Sequence, residues 1–166
     1  YGSSIGYTNH CGPTAITNLI LACGNRYPSK ISYSSANTVF KNVVTVGLNN
    51  NYYSTGSGTA NSTALQYIRN SFALYSAYPT LYGNNSVTHN NIVYALTNEA
   101  LLYVMLSNHE TYGNHAVVCF AYCRLVSETT GWYKTYMKVA DGWGSSGRYI
   151  DLGSALTAKY VSVNLS

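Results

Sequence analysis

Cys11 stands in the run Asn9-His10-Cys11-Gly12-Pro13, just ahead of apolar residues at Ala15, Ile16, Leu19, Ile20 and Cys23. Those positions fall at helical spacing. Gly12 and Pro13 mark the helix start, where the missing N–H of proline costs nothing, and Gly24 is a natural stop. A thiol at a helix N-terminus faces unpaired backbone N–H groups and the positive end of the helix dipole. Both favour the thiolate. With an imidazole beside it, such a thiolate is a strong nucleophile near neutral pH. The competing reading is a small buried hydrophobe. Against it, Cys11 sits on the Gly-Pro helix start rather than within the apolar stripe.

A partner base must come from four histidines, His10, His89, His109 and His115. His10 adjoins Cys11 in sequence and is expected to point elsewhere. His89 follows a helix cap, and His109 lies in the polar stretch Ser107-Asn108-His109-Glu110. His115 opens the longest apolar run of the chain, which places a polar ring at the mouth of a rigid central strand. A third group would orient the imidazole and stabilise its charged form. There are only two aspartates, Asp141 and Asp151. Asp141 ends an apolar strand and leads into Gly142-Trp143-Gly144, so its carboxylate is the candidate and Trp143 its shield. Asp151 reads as an ordinary surface or turn carboxylate.

These side chains need elements to hold them. Beyond the Cys11 helix, Val39, Phe40, Val43 and Val44 suggest a second helix within Ser32 to Leu48. Asn49 to Ser62 reads as a long surface loop. Ser62 and Thr88 are candidate caps for two more helices. The period then changes. Leu101 to Leu106, His115 to Leu125, Tyr133 to Asp141, Arg148 to Leu152 and Lys159 to Leu165 read as strands. Helices first and strands second is an α+β pattern, with a helical half on an antiparallel sheet.

The totals narrow the function classes. A chain of 166 residues with 46% hydrophobic content can bury a core and reads as one domain, 1–166. Only 8% of residues are charged, against roughly 25% on average. The net charge of +4 is spread without a basic run, which argues against nucleic acid as a partner. No stretch has the roughly 18 apolar residues of a membrane helix. The hydroxyl- and amide-rich composition suits a secreted or cell-surface protein, expected to be a monomer. No cysteine and histidine spacing fits a metal site, so neither metal nor cofactor is expected. A single Cys23–Cys119 or Cys23–Cys123 disulfide stays open, with buried free thiols as the plainer reading.

Three motifs carry a resemblance. Asn9-His10-Cys11-Gly12-Pro13-Thr14-Ala15 resembles the nucleophile motif of bacterial papain-like cysteine peptidases, especially the type related to bacteriocin-leader peptidases. Gly113-Asn114-His115-Ala116-Val117-Val118 is similar to that family's histidine strand. Asp141-Gly142-Trp143-Gly144 matches the papain group's Asn-Ser-Trp-Gly motif, with Asp in place of Asn. The resemblance implies a papain-like fold with a central nucleophile helix. It implies a Cys11–His115–Asp141 triad acting through a thioester on a peptide or protein substrate. An acyltransferase or peptidoglycan amidase of the same fold, or a degenerate secreted binding module, is the alternative. The family's oxyanion glutamine would fall at Ile5. Asn9 is the nearest amide side chain to replace it, with Ser4, Thr8 or His10 as further options. His115 and Asp141 are 26 residues apart, and an extended hairpin through Arg124 to Lys134 would absorb the excess over the family's usual spacing.

Overall fold

The structure is a computed structural model, and it describes residues 6–153 and 156–166. The chain begins with α1 (Cys11–Arg26) and α2 (Ala36–Asn49). Ser35 caps α2 by accepting from the Thr38 N–H. A short hairpin follows, β1 (Tyr53–Ser54) and β2 (Gly58–Thr59), inside the stretch expected to be a loop. After a 3-10 turn at Asn61–Thr63 comes α3 (Ala64–Ala73). The expected Ser62 cap is not used, because the residue before α3 is Thr63 and its side chain makes no capping bond. Then come β3 (Thr80–Asn84) and α4 (His89–Thr97), the latter capped by Thr88 as its sequence suggests.

The rest of the chain is strand: β4 (Leu101–His109), β5 (Gly113–Val126), β6 (Tyr133–Ala140), β7 (Arg148–Asp151) and β8 (Ala158–Asn164). With β3 they form one antiparallel sheet in the order β3-β8-β4-β5-β6-β7. The architecture is α+β. Its order is less segregated than the sequence suggests, since β3 and α4 interrupt it. The Thr80-Leu81-Tyr82-Gly83-Asn84 strand was not anticipated, because an edge strand with one neighbour and mostly open faces needs no apolar alternation. The long β5–β6 hairpin is present, paired out to Val126 and Tyr133.

Strand alternation sends side chains to two cores. Tyr103, Met105, Ala116, Val118, Val161 and Val163 join Ile16, Leu19, Ile20, Phe40, Val43 and Ile68 under α1, α2 and α3. Leu102, Val104, Leu106, Val117, Cys119 and Met137 face the other way, under Ile92 and Ala95 of α4. Burying a leucine- or phenylalanine-sized side chain contributes roughly 1.5–3 kcal/mol, so α1 is fixed firmly by its Ile16, Leu19 and Ile20. Its N-terminus therefore meets the start of β5 at a defined place.

Candidate active site

Cys11 is the first residue of α1 and is half-buried. The residue before it, His10, makes no side-chain capping bond, and Pro13 has no N–H to offer. The Gly12 N–H is left facing the sulfur. Gly12 has a second reason to be glycine, because a Cβ there would collide with the Thr59 side chain of β2. The hairpin can thus lie directly against the helix start.

Burial pushes the Cys11 thiol up. The hydrogen bond with His115, the Ala116 N–H, the His115 charge and the Gly12 N–H outweigh it, and the thiol sits below its ordinary range. For His115, burial pushes the imidazole down. The Cys11 hydrogen bond, the Asp141 main-chain carbonyl and the charges of Cys11 and Asp141 raise it above its ordinary range. The two groups therefore shift in opposite directions toward a thiolate beside an imidazolium.

His115 is oriented differently from the expected arrangement. Its Nε2 lies 2.8 Å from the main-chain carbonyl oxygen of Asp141. A carbonyl can only accept, so Nε2 carries the proton, and Nδ1 is left to face the thiol. The Asp141 carboxylate does not bond the imidazole. One of its oxygens accepts from the Trp143 N–H at 3.0 Å. The other accepts from the Tyr112 hydroxyl at 3.2 Å, with the Arg148 Nε at 3.8 Å. The cause lies in the local backbone. β6 leaves β5 after the Val118–Ala140 pair, and Gly142, at φ +77, turns the chain back against Thr14. That turn aims the carbonyl, not the side chain, at the ring. Asp141 is buried, and its charge still acts on His115 through space.

The imidazole lies between two aromatic rings. Tyr112 is stacked on it at 5.5 Å and 13°, and Trp143 is tilted against it at 4.9 Å and 53°. Trp143 thus covers the ring itself rather than a carboxylate–imidazole contact, while remaining 61% exposed on its outer side. Tyr112 was missed in the sequence. Its signal was a tyrosine in the Thr111-Tyr112-Gly113 turn just before His115, one of 18 tyrosines and so hard to single out.

The oxyanion expectation for Asn9 is corrected. Its side-chain amide donates to Thr55 O at 2.9 Å and Gly56 O at 3.0 Å, because its own φ of +51 turns the side chain onto the hairpin. The Thr8 hydroxyl is also spent on Thr55 O, at 2.8 Å. Ser4 and Ile5 lie outside the described residues. His10 does not point away from the site. Its Nδ1 is 2.9 Å from the Thr14 hydroxyl, its ring meets Phe40 edge-on at 5.9 Å, and it lines the same cleft as Cys11. Burial, foremost, holds it below the ordinary imidazole range, so the ring is neutral near pH 7.

Cys11 and His115 lie where two arms of an open cleft meet. One arm, of about 720 Å³, runs between the β1–β2 hairpin and the sheet, past Tyr103, Met105 and Lys159. The other, of about 450 Å³, runs past His10, Tyr112 and Trp143. An extended chain crossing both would pass directly over the sulfur.

No protein-family model matches this chain, and no curated protein is significantly similar to it. The site's chemistry is therefore read from its own geometry. Among the described residues no group of three or more His, Cys, Asp or Glu is placed to hold a metal ion, and no helix is long and apolar enough to cross a membrane. All four cysteines are free thiols. Neither the Cys23–Cys119 nor the Cys23–Cys123 disulfide is formed; Cys23 lies in the core under α1, and Cys119 lies on the far side of the sheet. Burial pushes Cys23 up to about 11 and Cys119 up to about 12, the opposite of Cys11.

Proposed function

We propose that the protein is a papain-like cysteine peptidase, cleaving peptide bonds through Cys11 and His115. The observation that carries this reading is the Cys11–His115 pair at the head of α1, with its two opposite shifts, in an open cleft. A merely structural cysteine would be pushed up by burial, as Cys23 and Cys119 are.

In this mechanism the Cys11 sulfur attacks the substrate carbonyl carbon, and the carbonyl oxygen becomes an oxyanion. The Cys11 N–H donates to it, and His10 donates from Nε2 when its Nδ1 accepts from the Thr14 hydroxyl. The His115 imidazolium gives its Nδ1 proton to the leaving nitrogen, the C–N bond breaks, and a thioester remains. Water then attacks the thioester carbon while His115 takes its proton, and the thiolate leaves with the acid product. An amine in place of water would make the same step an acyl transfer. The Asp141 carbonyl holds the ring throughout, and the buried Asp141 charge favours the imidazolium.

Alkylation at pH 7 with iodoacetamide, followed by peptide mapping, tests the reading. Cys11 should label far faster than Cys23 and Cys119, and His115→Ala should slow it. Equal labelling of the three, or no effect of His115→Ala, would remove the basis for a catalytic thiolate.

A further inference from the structure

We propose that the hairpin arm of the cleft selects substrates bearing a carboxylate two to three residues from the scissile bond, held by Lys159. The proposal rests on the peptidase reading of the same site and assigns its substrate class.

Strand register places the lysine. Ala116 of β5 is opposite Met105 of β4, and Met105 is opposite Lys159 of β8. Residues opposite one another share a face of the sheet. Ala116 and Met105 belong to the core under α1, so Lys159 emerges on the side that carries the cleft. Ala116 is also the residue whose N–H reaches the Cys11 sulfur. Two strand spacings, at about 4.8 Å each, put the Lys159 backbone roughly 10 Å from Ala116. An extended substrate advances about 3.3 Å per residue. The lysine therefore lies opposite a substrate position about two to three residues from the bond under attack.

Its surroundings are neutral. Among the described residues, and apart from Cys11 and His115, the arm is lined by glycine, serine, threonine, asparagine, tyrosine, methionine, leucine and alanine, with Lys159 the one charged side chain. Lys159 is exposed and makes no ion pair with any described residue. Lys134 and Arg26, by contrast, are each paired with a carboxylate. An unpaired cation in an otherwise uncharged cleft attracts an anionic group, and a substrate carboxylate closing on it forms a charge-assisted hydrogen bond. A basic side chain at the same position would be repelled.

The test uses a fluorogenic peptide set in which glutamate, glutamine or lysine is scanned through three positions on each side of one cleavable bond. Binding of the same peptides to the Cys11→Ala protein is measured by fluorescence anisotropy. At one position two or three residues from the bond, glutamate should exceed glutamine by about tenfold in kcat/KM and in affinity at low salt. That preference should shrink as salt is raised. Lys159→Gln should erase it, and Lys159→Glu should transfer it to the lysine peptide. No acidic preference at any position, or one that survives Lys159→Gln, overturns the proposal while leaving the peptidase reading intact. Absence of turnover with every peptide counts against the peptidase reading. The binding preference of the Cys11→Ala protein still decides the role of Lys159.

Discussion

His115 and Asp141 meet through a main-chain atom. The ring Nε2 is 2.8 Å from the Asp141 carbonyl oxygen, while the carboxylate of that residue is turned to the Tyr112 hydroxyl and the Trp143 N–H. Orientation of the imidazole and electrostatic support of its charge are thus supplied by different parts of one residue. Substitutions should separate them.

Asp141→Asn keeps the carbonyl and an acceptor for Trp143, and removes the charge. Since that charge helps raise the His115 imidazole, the imidazolium should be lost at lower pH. The alkaline limb of kcat/KM should move down in pH, with a loss of about tenfold or less at neutral pH. Asp141→Ala also strips the turn of its anchor and leaves the half-buried Tyr112 and Trp143 donors unpaired, at about 1 kcal/mol or more. It should cost far more activity and lower the melting temperature. Equal kcat/KM pH profiles for the two variants would contradict this division.

Cys11 reactivity should depend on pH through its partner. With the thiol lowered and the imidazole raised, the thiolate–imidazolium form is favoured between the two macroscopic steps of the pair. Alkylation of the wild-type protein should persist well below pH 9. In His115→Ala the opposing burial meets less resistance, and the reactivity limb should move up in pH. Alkylation rates measured from pH 5 to 10 would show it.

His10 should act on kcat. Replacing it with alanine should lower kcat by about 100-fold with little change in KM. His10→Gln restores a side-chain donor and should recover part of the loss. Steady-state kinetics on both variants decide the matter, because a purely structural histidine would give no recovery with glutamine.

Tyr112→Phe keeps the ring on His115 and deletes the donor to Asp141. Destabilisation of about 1 kcal/mol is expected, with activity reduced only several-fold. Tyr112→Ala should be worse in both respects, since the stacked contact at 5.5 Å also goes. Denaturant melts alongside kcat/KM measure the two effects.

Much of this arrangement could be read from residue types. Cys-Gly-Pro before an apolar stripe announced the Cys11 helix, and the apolar run after Asn114 announced the His115 strand. The rest depended on facts that a letter does not carry. Asp141 is the expected residue, yet which of its atoms would meet the ring is set by the turn at Gly142. Asn9 has the right chemistry for an oxyanion donor, and its positive φ spends that chemistry on the hairpin. The β1–β2 hairpin was hidden because two-residue strands have no period to detect. Tyr112 lies in a turn, where stacking on a neighbour leaves no sequence pattern.

The tip of the β1–β2 hairpin has a different footing from its base. The tip is tied to the Cys11 segment by the two Asn9 amide bonds and the Thr8 hydroxyl bond, all of them exposed, and each contributes only about 1 kcal/mol. The base is anchored in the apolar core, because Tyr53 of β1 is buried with the residues under α1 and its hydroxyl donates to Thr8 O. Heat or mild denaturant should therefore fray the tip first, while Tyr53 keeps the hairpin seated on α1. The wall of the cleft would loosen from its rim inward, like a flap still fixed along its hinge.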